Sequence, residues 1–189
     1  GSVFGKNQLD DLKSWMRKGG KVIAIGNANR LFAGKDGFSL KNKKEDKDDK
    51  VEDKADLDEH FINYDEQERQ GIQNSITGAI FKTIVDNSHP LAFGYEQSYF
   101  SLKLGSTAYD YLKNGNTVVR LEDNTTISGF AGSKTLVNLK KSLIFGEDRV
   151  GRGSVIYMID NPLFRSFWDN GKLFFVNAIF MTNPSMKQL

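Results

Sequence analysis

Residues 8–18 set Leu9, Leu12, Trp15 and Met16 on one face at helical spacing, and Gly19-Gly20 ends the run. Residues 21–25 follow as a short apolar strand, so the start of the chain predicts one αβ unit of a parallel sheet. Further on, 79–85, 98–104 and 117–121 read as strands, with a short helix near 107–113. Residues 127–132 suit a strand or a loop, 136–141 a helix, and 142–145 a short strand. The clearest strand is 153–159 (GSVIYMI), an unbroken apolar run after a glycine-rich turn. Asp160-Asn161-Pro162 then predicts the start of a helical region, with Pro162 in its first turn. Leu163, Phe164, Phe167 and Trp168 continue at helical spacing, and 173–181 reads as the buried face of a closing helix. There is no internal repeat.

Residues 41–59 break this pattern. They hold six Lys against nine Asp and Glu, with only Val51, Ala55 and Leu57 apolar. Such a run buries too little surface to offset its ordering entropy, and it predicts a solvated, disordered loop. The expected organisation is one domain over 1–189 with a charged insertion at about 35–60. A calcium loop is the alternative, but the EF-hand pattern, with its central Gly and closing bidentate Glu, is missing.

Composition adds exclusions. With 39% hydrophobic and 26% charged residues the chain is of ordinary globular type, and its net charge of +2 gives no reason to expect nucleic acid or an anionic membrane. The most apolar run is about half the length of a membrane span, so none is expected. No cysteine is present, which removes disulfides, thiolate catalysis and cysteine metal sites.

Local chemistry is sparse. His60 and His89 are the only histidines, and neither begins a zinc-binding pattern; His89 before Pro90 suits a turn. There is no G-x-S-x-G elbow. Gly151-Arg152-Gly153 precedes its strand, whereas a dinucleotide site needs its glycines between strand and helix. GFAGS at 129–133 is too generic for a phosphate loop, and no carboxylates form a convincing catalytic pair.

Two junctions carry a resemblance. VIAIGNANRLF (22–32) has the strand–turn–helix layout of the nucleophile elbow in class I glutamine amidotransferases, with Gly26 in the place of the cysteine. IYMIDNPLF (156–164) puts Asp160-Asn161-Pro162 where that family ends a strand in His-Pro-Glu. Nucleophile and base would both be absent, and glycine cannot attack a carbonyl. LKSWMRKGGKVIAIG, AIFKTIVDNSHPLAFGY and GRGSVIYMIDNPLFRSFWDNGKLFFVNAIF together resemble the amidotransferase-like domain at the C-terminus of bacterial secreted zinc carboxypeptidase-type proteins, over roughly 1–34 and 75–183.

The resemblance implies an α/β, flavodoxin-like open sheet, mostly parallel, with helices on both faces. That fold places several strands and helices before the elbow and this chain only about 25 residues, so the resemblance implies either a sequence that begins inside the domain or a form abridged at the N-terminus. It further implies a noncatalytic accessory domain, secreted or periplasmic, whose partner is the peptidase domain of the same polypeptide. Zinc belongs to that domain, and no cofactor is expected in this chain. Two other readings stay open: an amidase or hydrolase using Ser, Asp or Asn at the crevice, and a binding module for a small polar ligand.

In open α/β sheets the crevice lies beyond the carboxyl ends of the strands. Strand 21–25 ends at Gly26-Asn27 and strand 153–159 at Asp160-Asn161. These ends are expected to lie together around a shallow polar pocket, with Arg30 or Arg165 at the rim. Gly26, Asn27, Asn29, Arg30, Asp160, Asn161 and Arg165 are the candidate binding residues. Asp160 has a plainer alternative as the cap of the helix that follows.

Overall fold

A computed structural model describes residues 5–43 and 63–182. Residues 44–62, with His60 and most of the charged run expected to be disordered, lie outside the described residues. The chain runs through α1 (Lys6–Arg17), β1 (Lys21–Ile25), α2 (Tyr64–Gln73), β2 (Ile76–Val85), β3 (Ser98–Lys103) and β4 (Asn116–Arg120). It continues through β5 (Ile127–Ala131), α3 (Ser133–Leu139), β6 (Leu143–Val150), β7 (Gly153–Met158) and α4 (Asp169–Phe180).

The strands form one mixed sheet in the order β1-β7-β6-β4-β2-β3, with β5 paired to β2. β1 and β7 are parallel, Lys21 opposite Ser154 through Ile25 opposite Met158. The other pairings are antiparallel. The class is mixed α/β, and the expected mostly parallel sheet is corrected to a mostly antiparallel one. The reason lies in the connections: only the residues Gly151-Arg152 separate β6 from β7, and a two-residue link joins antiparallel neighbours. That hairpin is hidden in the sequence because Glu147-Asp148-Arg149 looks like the end of a strand at Phe145. In the fold β6 runs on to Val150, and Glu147 and Asp148 are buried with partners of their own.

Alternation along β7 divides the core. Val155 and Tyr157 face a cluster containing Leu9 and Met16 of α1 with Phe32, Phe38, Leu40 and Tyr109. Ile156 and Met158 face the opposite cluster, with Tyr99, Phe145, Leu139 of α3, and Phe174 and Ala178 of α4. Helices therefore cover both faces. Phe38 and Leu40 also revise the insertion's expected start at 35, because 35–43 packs on the domain. Ser39 N–H donates to Asp148 Oδ2 at 2.6 Å, and Asn42 bridges to Tyr109. The helix expected near 107–113 is absent; this stretch is extended and partly tied to that segment.

Two helical regions differ from the pattern. α2 was not anticipated because it buries none of its residues and so has no apolar stripe to read. After Pro162 the chain makes a turn and a short 3-10 helix at Phe164–Ser166, and α4 begins only at Asp169. Arg165 and Ser166 both have positive φ, which interrupts the helix that the apolar spacing suggested. α4 itself is only half covered. Phe174, Asn177 and Ala178 are buried, whereas Leu173, Val176, Ile179, Phe180 and Met181 are exposed, Phe180 to 75%. A helix apolar all round can offer the sheet only one side. No helix among the described residues is long and apolar enough to cross a membrane.

Gly153 fixes how α1 approaches the sheet. A Cβ there would meet Gly20 O at 2.1 Å and Met16 O at 2.2 Å, both backbone atoms. Gly153→Ala is expected to cost about 1–3 kcal/mol through this overpacking, measured as a lowered urea midpoint at unchanged slope.

Candidate functional site

The parallel pairing of β1 with β7 sets their carboxyl ends side by side. Beyond those ends lies a cavity of about 250 Å³, and Gly26, Asn27, Arg30, Asp160 and Asn161 are among its lining. Gly26 turns the chain sharply out of β1 with φ 58°, a left-handed conformation that glycine adopts without a Cβ penalty. A 3-10 helix, Gly26–Leu31, follows and carries Asn27 and Arg30 to the cavity.

The opposite wall comes from the far edge of the sheet. β3 is separated from β7 by β2, β4 and β6 in the strand order, and β2 meets β4 through only two residue pairs. The sheet curls there, so that Tyr99 of β3 packs against Phe145 of β6 at 5.7 Å between ring centroids. Two residues farther along β3, Ser101 Oγ donates to Asp160 Oδ2 at 2.7 Å, and Lys103 Nζ donates to Asp160 Oδ1 at 3.0 Å. Lys103 is 1% exposed and Asp160 7%, yet both border the cavity. A buried charge pair needs good geometry and further hydrogen bonds to offset its desolvation, and Ser101 supplies one of these.

Leu102, Leu104, Gly105, Thr107, Tyr109 and Phe164 complete the lining with Ile159. Burial pushes the Tyr109 phenol up from its ordinary value, while the positive charge of Arg30 draws it back in part. The phenol is accordingly protonated at neutral pH and can donate. Arg30 is exposed and forms no ion pair with any described residue.

The candidate residues fall into distinct places. Gly26, Asn27, Arg30, Asp160 and Asn161 are brought together at the cavity. Asn29 is not in its lining. It is buried beneath, where its Nδ2 donates to Gly26 O at 2.8 Å and Met158 O at 2.9 Å, fastening the turn to the end of β7. Arg165 is also outside the lining: its guanidinium sits over the Phe164 ring, 5.3 Å from the centroid. Nor does Asp160 cap a helix: its oxygens accept from the β3 side chains of Ser101 and Lys103, and from no helix N–H among the described residues. Asn161 holds the local turn instead, accepting from Leu163 N–H at 2.9 Å.

Lys103 and Ser101 were missed by sequence reasoning. Their signal is faint but present: in SYFSLK they share the alternation phase of buried Tyr99, so a serine and a lysine occupy inward positions. Nothing local says that their partner lies 57 residues away for Lys103.

His89 does not belong to this site. Its Nδ1 accepts from Leu91 N–H at 3.1 Å, which fits the turn role expected of it, and its Nε2 lies 3.3 Å from Glu147 Oε2. Burial, the largest influence on Glu147, pushes its carboxyl up. The His89 hydrogen bond, the nearby Ser154 hydroxyl and the charges of His89 and Arg149 together outweigh it and hold the carboxyl below its usual value. Among the described residues, no three His, Cys, Asp or Glu side chains converge as metal ligands.

No family model and no curated protein matches the chain. Among solved structures it is similar to a cytoplasmic protein from Salmonella typhimurium, with 14% identity and a TM-score of 0.45, covering 95% of this chain and 62% of that one. It is also similar to a protein from Bacteroides uniformis described as ThuA-like, with 14% identity and a TM-score of 0.47, covering 98% of this chain and 70% of that one. The chain thus spans less than two thirds of the Salmonella protein's length. Neither likeness defines a family or a function.

Two outcomes follow from these charge pairs. Lys103→Met leaves Asp160 as an uncompensated buried charge and is expected to cost about 3–5 kcal/mol, whereas adding Asp160→Asn restores much of that loss. Urea denaturation of the single and double variants measures the coupling. For Glu147, a depressed pKa means stability that is present above the ordinary value of 4.5 and lost as the pH falls through the folded one. Glu147→Gln is expected to be roughly 1.5–3 kcal/mol less stable at neutral pH, with the gap closing in acid, as read from urea midpoints across pH.

Proposed function

We propose that the chain is a noncatalytic domain that binds a small polar ligand in the crevice beyond β1 and β7. The observation that carries this reading is the buried Lys103–Asp160 pair in the wall of an open cavity. Such a pair is a weak source of stability compared with apolar side chains of similar volume. Its placement beside polar groups from three separate segments suits recognition, and the cavity, just below the usual size of ligand pockets, suits a small ligand. Gly26 offers a sharp turn and no reactive atom, which favours binding over acyl transfer.

The resemblance to zinc carboxypeptidase-type proteins extends this proposal to an accessory role on a larger polypeptide. The exposed apolar side of α4, with Leu173, Val176 and Phe180, favours a face that meets another domain. Zinc would then be held by the peptidase domain. In that arrangement the α4 amides exchange with solvent more slowly in the full polypeptide than in the isolated chain; equal exchange in both would remove the accessory role and leave ligand binding standing.

Titration with a panel of polar metabolites is expected to shift the amides of Gly26, Asn27 and Asn161 saturably in heteronuclear NMR spectra. The same ligand raises the melting temperature, by mass action adding about 2.7 kcal/mol at one hundred times its Kd. Asn27→Ala weakens binding without loss of fold. The isolated chain is expected to release ammonia from glutamine no faster than buffer. A steady release rate abolished by Asp160→Asn in a folded variant would overturn the noncatalytic reading.

A further inference from the structure

The lining is unbalanced in a way that specifies the ligand. Among its residues two cations, Arg30 and Lys103, face one carboxylate, Asp160. Lys103 and Asp160 neutralise each other at 3.0 Å, which leaves Arg30 at the mouth without a counter-charge among the described residues. Its planar fork of donors matches a carboxylate or a phosphate better than a neutral group.

Deeper in the cavity the requirement changes. The Lys103 ammonium has three N–H donors, and the bond to Asp160 uses one. Each Asp160 oxygen receives one hydrogen bond, from Lys103 or from Ser101, and keeps acceptor capacity. A ligand group placed against this pair must therefore both accept from nitrogen and donate to oxygen. A hydroxyl does both. A second anionic group there would face the Asp160 carboxylate, and an apolar group would leave the ammonium protons without partners. Tyr109, also in the lining, carries a phenol that is protonated at neutral pH and adds a further donor.

Resting on the ligand-binding reading above, we infer that the crevice selects a small hydroxylated oxyanion, a hydroxy acid or a polyol phosphate. Its anionic group sits on Arg30, and its hydroxyl docks against the intact Lys103–Asp160 pair, accepting from a remaining ammonium proton and donating to a carboxylate oxygen. No covalent step is involved; recognition is by charge at the rim and by donor–acceptor exchange at the wall.

Three commercial probes separate these elements: tartrate carries both hydroxyls and charge, tartramide lacks the charge, and succinate lacks the hydroxyls. Glycerol 3-phosphate tests whether phosphate replaces carboxylate. NMR titration of the full chain is expected to show tartrate or glycerol 3-phosphate binding at least tenfold tighter than tartramide, and tartrate at least tenfold tighter than succinate. Arg30→Gln, an exposed substitution that leaves the buried pair untouched, is expected to abolish the preference for tartrate over tartramide. Weakening of the charged probe by added salt supports the same contact. Tartramide binding as tightly as tartrate, or succinate equalling tartrate, would overturn the inference while leaving the crevice as a polar-ligand site. If a neutral metabolite from the wider panel binds at Gly26 and Asn27 but no oxyanion does, the inference fails alone. If nothing perturbs those amides, both readings fail.

Discussion

The ion pair between Lys103 and Asp160 ties the edge strand β3 to the carboxyl end of β7 across the sheet of the described residues. Along the strand order these residues should be far apart, because three strands intervene between β3 and β7. They meet because the sheet curls where β2 and β4 share only two residue pairs. An ammonium and a carboxylate removed from water must find each other or be expelled. Ser101 and the rings of Tyr99, Phe145 and Phe174 complete that closure, with Tyr99 and Phe174 5.0 Å apart. The cavity is the space left in front of it.

Among the described residues only β1 and β7 pair in parallel. In a hairpin the carboxyl end of one strand lies beside the amino end of the next, so two strand-to-loop exits seldom share a place. β1 and β7 are parallel, and both chains leave the sheet on the same side, at Gly26 and at Ile159. Asn29 then locks the first exit to the second through Gly26 O and Met158 O. A mostly antiparallel sheet thereby keeps, at one position, the crevice geometry of an open parallel one.

The opposite half of β7 serves stability instead. There Lys21 Nζ donates to the carbonyls of Ala178 and Ile179 at the C-terminal end of α4, which suits a cation near the negative end of a helix. His89 and Glu147 fix the turn after β2 to β6 nearby.

Much of the local structure was legible because it is encoded by neighbours. Leu9 and Met16 at helical spacing, the glycine stop after them, the apolar runs of β1 and β7, and the turn at Gly26 each depend on residues a few positions apart. The two strand exits and five lining residues could be named for the same reason, since a strand's carboxyl end is a local property. Pairing direction could not be named so. It hinged on whether Glu147-Asp148-Arg149 continues β6, and that depends on His89, Ser39 and Tyr157 reaching those carboxylates from other segments. Likewise the apolar residues of α4 look buried in sequence, but only the sheet's extent decides which side is covered. Asp160 was visible as a polar residue ending a strand; that its partner is Lys103 rather than a helix N-terminus was decided by the curl of the sheet. Charge desolvation is a property of the folded interior, and no window of sequence contains it.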